Sequence, residues 1–114
     1  MEKILEQSLL YDFYGELLNP HQKNIYEDFA LNNLTLSEIA EEKGISRQAV
    51  HDSVKRSEAA LSGYEEKLHL IEKFLKIKEL TSEIKSMSAS FEATKDFQLI
   101  KKISSMADKI LEEL

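Results

Sequence analysis

The sequence contains no cysteine, which excludes disulfides, thiolate-ligated metals and thiol nucleophiles and leaves a reducing compartment open to it. It contains one proline and three glycines. The glycines stand singly at Gly15, Gly44 and Gly63, so neither a phosphate-cradling loop nor a dinucleotide fingerprint can be assembled from them. Long apolar runs are missing too. Charges interrupt every apolar stretch well before membrane-spanning length, so no transmembrane helix and no membrane insertion are expected. The start, MEKILEQSLLYDF, carries two early glutamates and no small-residue cleavage site, unlike a secretory leader, and a cytoplasmic location is the default expectation. His21, His51 and His69 lie far apart with no i, i+4 pair, which argues against a metal site. Glu41–Glu42 and Glu65–Glu66 are adjacent in sequence and therefore point to different sides of a helix, where they cannot jointly hold a substrate. No serine sits in a nucleophile-elbow pattern with a placed histidine. No cofactor is expected, and catalysis is the least supported class of function.

What is present is the composition of one globular domain: 114 residues, 42% hydrophobic and 32% charged, enough for one modest core. The net charge of −6 argues against nucleic-acid binding through bulk electrostatics. Its distribution is uneven. Residues 1–46 hold 9 acidic and 3 basic side chains, residues 47–61 hold 2 and 3, and residues 62–114 hold 10 and 9. The acid excess belongs to the first third, and the stretch with Arg47, Lys55 and Arg56 is the one net-positive segment.

The apolar pattern is helical throughout. From Glu2 to Leu18, the residues Leu5, Leu9, Leu10, Phe13, Tyr14, Leu17 and Leu18 recur at steps of three and four, which predicts a helix with a wide apolar face. Asn19–Pro20 reads as an N-cap followed by proline at the first helical position, and Ile25, Tyr26, Phe29 and Ala30 carry a second helix as far as Asn32–Asn33. Thr35 and Glu38 have capping-box spacing for a short third helix, which Gly44 ends in the left-handed conformation. Ser46 caps a fourth helix predicted from about Arg47 to Leu61, with Val50, Val54 and Leu61 inward and a stop near Ser62–Gly63. Beyond Gly63, the residues Tyr64, Leu68, Ile71, Phe74, Leu75, Ile84, Met87 and Phe91 line one side of a Lys/Glu-rich helix. A break is expected at Ser86–Ser90, followed by a last helix bearing Phe97, Ile100, Ile103, Ala107, Ile110 and Leu114. No stretch alternates as a strand does. The expectation is an all-α protein: a helix-turn-helix domain over residues 1–62, then long amphipathic C-terminal helices over residues 63–114.

The segment SEIAEEKGISRQAVHDSVKR, Ser37 to Arg56, carries the most information. Ala40 is small where two helices cross, Gly44 makes the tight turn, and Ile45 and Val50 fill the gap between helices crossing steeply. With Val50 and Val54 inward, the opposite side of the fourth helix presents Gln48, Asp52 and Lys55, flanked by Arg47, His51 and Arg56. In DNA-binding examples of the motif, the N-terminal end of this helix enters the major groove, where arginine can bond guanine and glutamine can bond adenine. Lys55 and Arg56, with Lys43, would meet phosphates. Asp52 lies on the same face. An ordinary solvated helix face presents the same residue types, and helix-turn-helix domains also dock proteins.

The run LLNPHQKNIYEDFALNNLTLSEIAEEKGISRQAVHDSVKRSEAAL, residues 17–61, resembles the region-four helix-turn-helix of bacterial sigma factors. The whole chain, from YDFYGELLNPHQ to the lysine-rich tail after Gly63–Tyr64–Glu65, resembles the YlxM family of small bacterial proteins. That resemblance implies a cytoplasmic DNA-binding protein whose gene neighbours signal recognition particle components, with a regulatory role in that pathway. It makes Arg47, Gln48, His51, Lys55 and Arg56 the candidate nucleic-acid contacts. Two partner classes follow: double-stranded DNA at this face, or a signal recognition particle component with the chain as a protein adaptor. The acidic first third would suit a basic protein. Residues 64–91 and 95–114 carry more apolar surface than a three-helix head can easily cover. They must either fold back on the first helix or pair with a second copy, and a homodimer, which would also fix the distance between two recognition helices, is the expectation.

Overall fold

Side-chain caps set where three of the helices begin. In the computed structural model, which describes residues 3–114, Asn19 Oδ1 accepts from the backbone N–H of Gln22 at 2.8 Å ahead of Pro20. Thr35 and Glu38 form a complete capping box, each side chain accepting from the other's backbone N–H at 3.1 and 3.0 Å. Ser46 Oγ accepts from Ala49 N–H at 3.0 Å. Each such bond satisfies an amide that the first helical turn would otherwise leave open, worth about 1 kcal/mol.

The described residues form six α-helices and no strand: α1 (Lys3–Tyr14), a single 3₁₀ turn (Gly15–Leu17), α2 (Pro20–Ala30), α3 (Leu36–Lys43), α4 (Arg47–Leu68), α5 (Leu70–Thr94) and α6 (Gln98–Glu113). The expected helix start at Glu2 lies outside the described residues. The chain divides into two compact units, the first ending at Ile71 and the second running Glu72–Leu114. In the first unit α4 is the central helix, packed by α1, α2 and α3. Its core is Tyr14 from α1, Ile25 and Tyr26 from α2, Ile39 from α3, and Val50 and Leu61 from α4, each essentially solvent-free. Burial of each such side chain stabilises by roughly 1.5–3 kcal/mol before the cost of ordering it.

Two helix boundaries differ from the sequence expectation. The fourth helix does not stop at Ser62–Gly63 but continues through Gly63 to Leu68. A glycine inside a helix costs only about 1 kcal/mol relative to alanine, and here the helix is anchored on both sides, by fully buried Leu61 and by the Tyr14–Glu65 hydrogen bond of 2.5 Å. The helix ends instead at His69, which takes the left-handed conformation with φ 55°. Nor does the segment Ser86–Ser90 break the next helix, since α5 runs unbroken to Thr94. Serine is a weak helix former rather than a breaker, a few tenths of a kcal/mol per residue, and Met87 and Phe91 are half-buried there.

In the second unit α6 runs back antiparallel along α5. Phe91 and Phe97 meet edge to face at 5.5 Å beside the connection, and Lys76 bonds Glu113 at 2.8 Å at the far end. Leu80 is the buried side chain among residues 72–114, with Ile84, Met87, Leu99, Ile103, Met106 and Ile110 half-buried. Ile100, Leu111 and Leu114 are exposed.

Candidate nucleic-acid interface

The α3–turn–α4 geometry starts from Gly44. At φ 68° and ψ 32° it is left-handed, and its N–H and that of Ile45 both bond back to the Ala40 carbonyl. That closes α3 and turns the chain within three residues into α4. Ile39 and Ala40 on α3 are buried, as are Val50 and Val54 on α4, with Ile45 half-buried at the corner.

The inward stripe of α4 is Val50, Ser53, Val54, Ser57 and Leu61, all buried. At 100° per residue, the residues half a turn away are Gln48, Asp52, Lys55 and Ala59, and all four are exposed. Arg47 sits at the first helical position and is exposed, Arg56 is exposed on one flank, and His51 is half-buried on the other. The five residues singled out from sequence therefore share one end of one helix, with four of them open to solvent and His51 at the margin.

Asp52 organises this face. Its Oδ1 accepts from Gln48 Nε2 at 2.9 Å and lies 3.6 Å from His51 Nδ1. Gln48, the side chain best suited to read an adenine edge, is thus held by its own helix. Lys55 reaches Glu58 at 4.0 Å, a long and exposed pairing that holds it only weakly. The charge that the face offers to a polyanion is Arg47, Lys55 and Arg56, offset at its centre by Asp52. A shallow surface depression lined by Leu34, Glu38, Glu41 and Glu42 is acidic. The Glu38 carboxyl is held below the usual carboxylate range by its bonds to Thr35, so this side chain stays charged into mild acid.

Here a helix-turn-helix whose first helix carries a capping box continues into a helical hairpin. The model of the YlxM / p13-like helix-turn-helix family, UPF0122, matches residues 1–110. The chain belongs to the UPF0122 family. It is 40% identical over 116 residues to a UPF0122 protein of Acetivibrio thermocellus, covering 98% of this chain and 99% of the relative. It is 44% identical over 89 residues to UPF0122 protein YlxM of Bacillus subtilis, covering 78% of this chain and 81% of the relative. A Geobacillus UPF0122 protein is 45% identical over 85 residues, covering 75% and 77%. In this UPF0122 chain no three His, Asp or Glu side chains gather as metal ligands among the described residues, and no described helix is long and apolar enough to cross a membrane.

Sequence reasoning placed Asp52 on the face as an opposing charge but missed its bond to Gln48. Their i, i+4 spacing was the available signal, since residues four apart on a helix are neighbours.

Proposed function

We propose that this chain is a non-enzymatic regulatory protein that contacts duplex DNA through the outer face of α4, within the signal recognition particle pathway that the family resemblance implies. One observation carries the reading: Arg47, Gln48, Lys55 and Arg56 are all exposed on the first three turns of a capped helix whose opposite side is packed into the core. A helix presented this way can lie in a major groove, with Lys55 and Arg56 on phosphates and Arg47 and Gln48 near base edges. Three cations release few counterions, so binding should be modest, with log K falling against log salt at a slope of about −3. The test is a titration of labelled duplex at two salt concentrations with the wild type and the Arg47→Ala/Lys55→Ala double variant. Loss of binding in the variant supports the reading, and unchanged affinity removes this face from it.

A second reading is favoured by the acidic surface of α3. Glu38, Glu41 and Glu42 beside Leu34 suit a basic protein partner, and the chain would then be an adaptor on a signal recognition particle component. Binding to purified particle that survives Arg47→Ala/Lys55→Ala, but fails when Glu41 and Glu42 are both replaced by lysine, would select this reading over DNA contact.

A further inference from the structure

The strongest unassigned feature is the open edge of α6. Leu99, Ile103, Met106 and Ile110 are half-buried on the α5 side, while Ile100, Ala107, Leu111 and Leu114 form a second, exposed apolar line. Ile100 is 47% exposed, Leu111 68% and Leu114 85%. The spacing of 7, 4 and 3 residues keeps this line on one side of the helix.

Its charges are arranged end to end. The first half of α6 holds Lys101 and Lys102, and the second half holds Asp108, Glu112 and Glu113 with one lysine, Lys109. A helix that is basic at one end and acidic at the other is self-complementary when two copies lie antiparallel, because a twofold axis brings each basic end against the other's acidic end. The small residue sits where such a pair needs it. Ala107 lies midway between Ile100 and Leu114, so an axis through it lets two helices approach closely and sets Ile100 of each copy against Leu114 of the other. The same register brings Lys101 near Glu112, and both are exposed.

We propose that a second copy of this chain covers the α6 edge, antiparallel, with Ala107 on the twofold axis and two Lys101–Glu112 pairs flanking it. The apolar contact drives association and the charge pairs fix direction, since a parallel pair would set like charge against like. The proposal concerns α6 alone and stands or falls without any DNA.

The test is sedimentation equilibrium of the full chain at tens of micromolar in low salt. The wild type should sediment at twice the 13.1 kDa chain mass, and Ala107→Glu, which places two carboxylates at the axis, should sediment as a monomer with unchanged helical circular dichroism. Lys101→Glu and Glu112→Lys each turn two attractions into two repulsions, and each alone should weaken the dimer by on the order of tenfold or more. Mixed one to one, the two variants set acid against base on both flanks of the mixed pair and should recover the dimer. A wild type that stays at single-chain mass throughout the concentration range overturns the proposal. So does a dimer unaffected by either charge reversal, or a mixture no tighter than its components.

Discussion

Asp52 shows how one side chain tunes a surface made by its neighbours. Its carboxylate holds Gln48 at 2.9 Å and sits among the cations of the α4 face. Replacing it with asparagine removes the charge that repels phosphate and loosens Gln48. Asp52→Asn should therefore tighten duplex binding by roughly 3- to 10-fold at low salt, a change of about 1 kcal/mol, with little effect on melting temperature because the residue is exposed. Weaker binding would mean that Gln48 must be held where it is. The glycines make a second residue-scale comparison. At Gly44 a Cβ meets nothing, yet φ is 68°, so Gly44→Ala should cost about 1–2 kcal/mol through backbone strain alone. Gly63 sits in mid-helix, also with open space around it, and Gly63→Ala should stabilise by about 0.5–1 kcal/mol. Urea midpoints moving in opposite directions would verify both.

Among the elements, α1 depends on tyrosines for its place against α2 and α4. Tyr11 donates to Glu27, and its ring lies 5.9 Å from that of Tyr26. Tyr14 donates to Glu65 at 2.5 Å and accepts from the Leu70 N–H at 3.2 Å, while Glu65 Oε1 also accepts from the Ile71 N–H at 3.0 Å. The phenol on α1 and the carboxylate on α4 thereby satisfy the first amides of α5, a helix start that follows directly on left-handed His69. Tyr14→Phe leaves the Leu70 amide without its acceptor in a half-buried site and should lower stability by about 1–3 kcal/mol. Three phenols, those of Tyr11, Tyr14 and Tyr26, also give this packing a pH limit. Burial, reinforced by neighbouring carboxylates, raises all three, with Tyr26 pushed up to about 12 and Tyr11 and Tyr14 also above their ordinary value of 10. The folded state holds these protons more tightly than the unfolded one, so the stabilisation is complete below pH 10 and is lost progressively as pH rises above it, the Tyr26 contribution through about 12. Helicity and tyrosinate absorbance should change together in that window. Ionisation of all three phenols near their ordinary value in a still-folded chain would contradict this account.

At the scale of the whole molecule, stability is unevenly shared. The first unit holds nearly all the solvent-free side chains, and the second has Leu80 as its buried residue. Local opening follows buried contacts, so amides of α4 from Val50 to Leu61 should be the slowest to exchange with deuterium. Those of α6 should exchange fast in dilute protein and slow as concentration rises, if a second copy covers its edge. Concentration-independent α6 exchange would argue against that coverage. The net charge of −6 arises largely outside the α4 face, so the proposed DNA contact would rest on three cations and non-specific binding should be weak.

Local chemistry made much of this readable from sequence. The caps at Asn19, Thr35 and Ser46 and the corner at Gly44 each depend on side chains within four residues, and each was placed correctly because the physics is equally local. The exposure of Arg47, Gln48, Lys55 and Arg56 was legible for the same reason: Val50 and Val54 fix which side of α4 turns inward. Gly63 and the serines at 86–90 misled because their intrinsic helix preference is weak, and contacts beyond the local pattern, Tyr14 with Glu65 and Phe91 with Phe97, overrode it. Where α4 ends, how α1 and α4 cap α5, and which line of α6 stays open were decided by tertiary packing, since each depends on chain segments that meet only after the helices have formed.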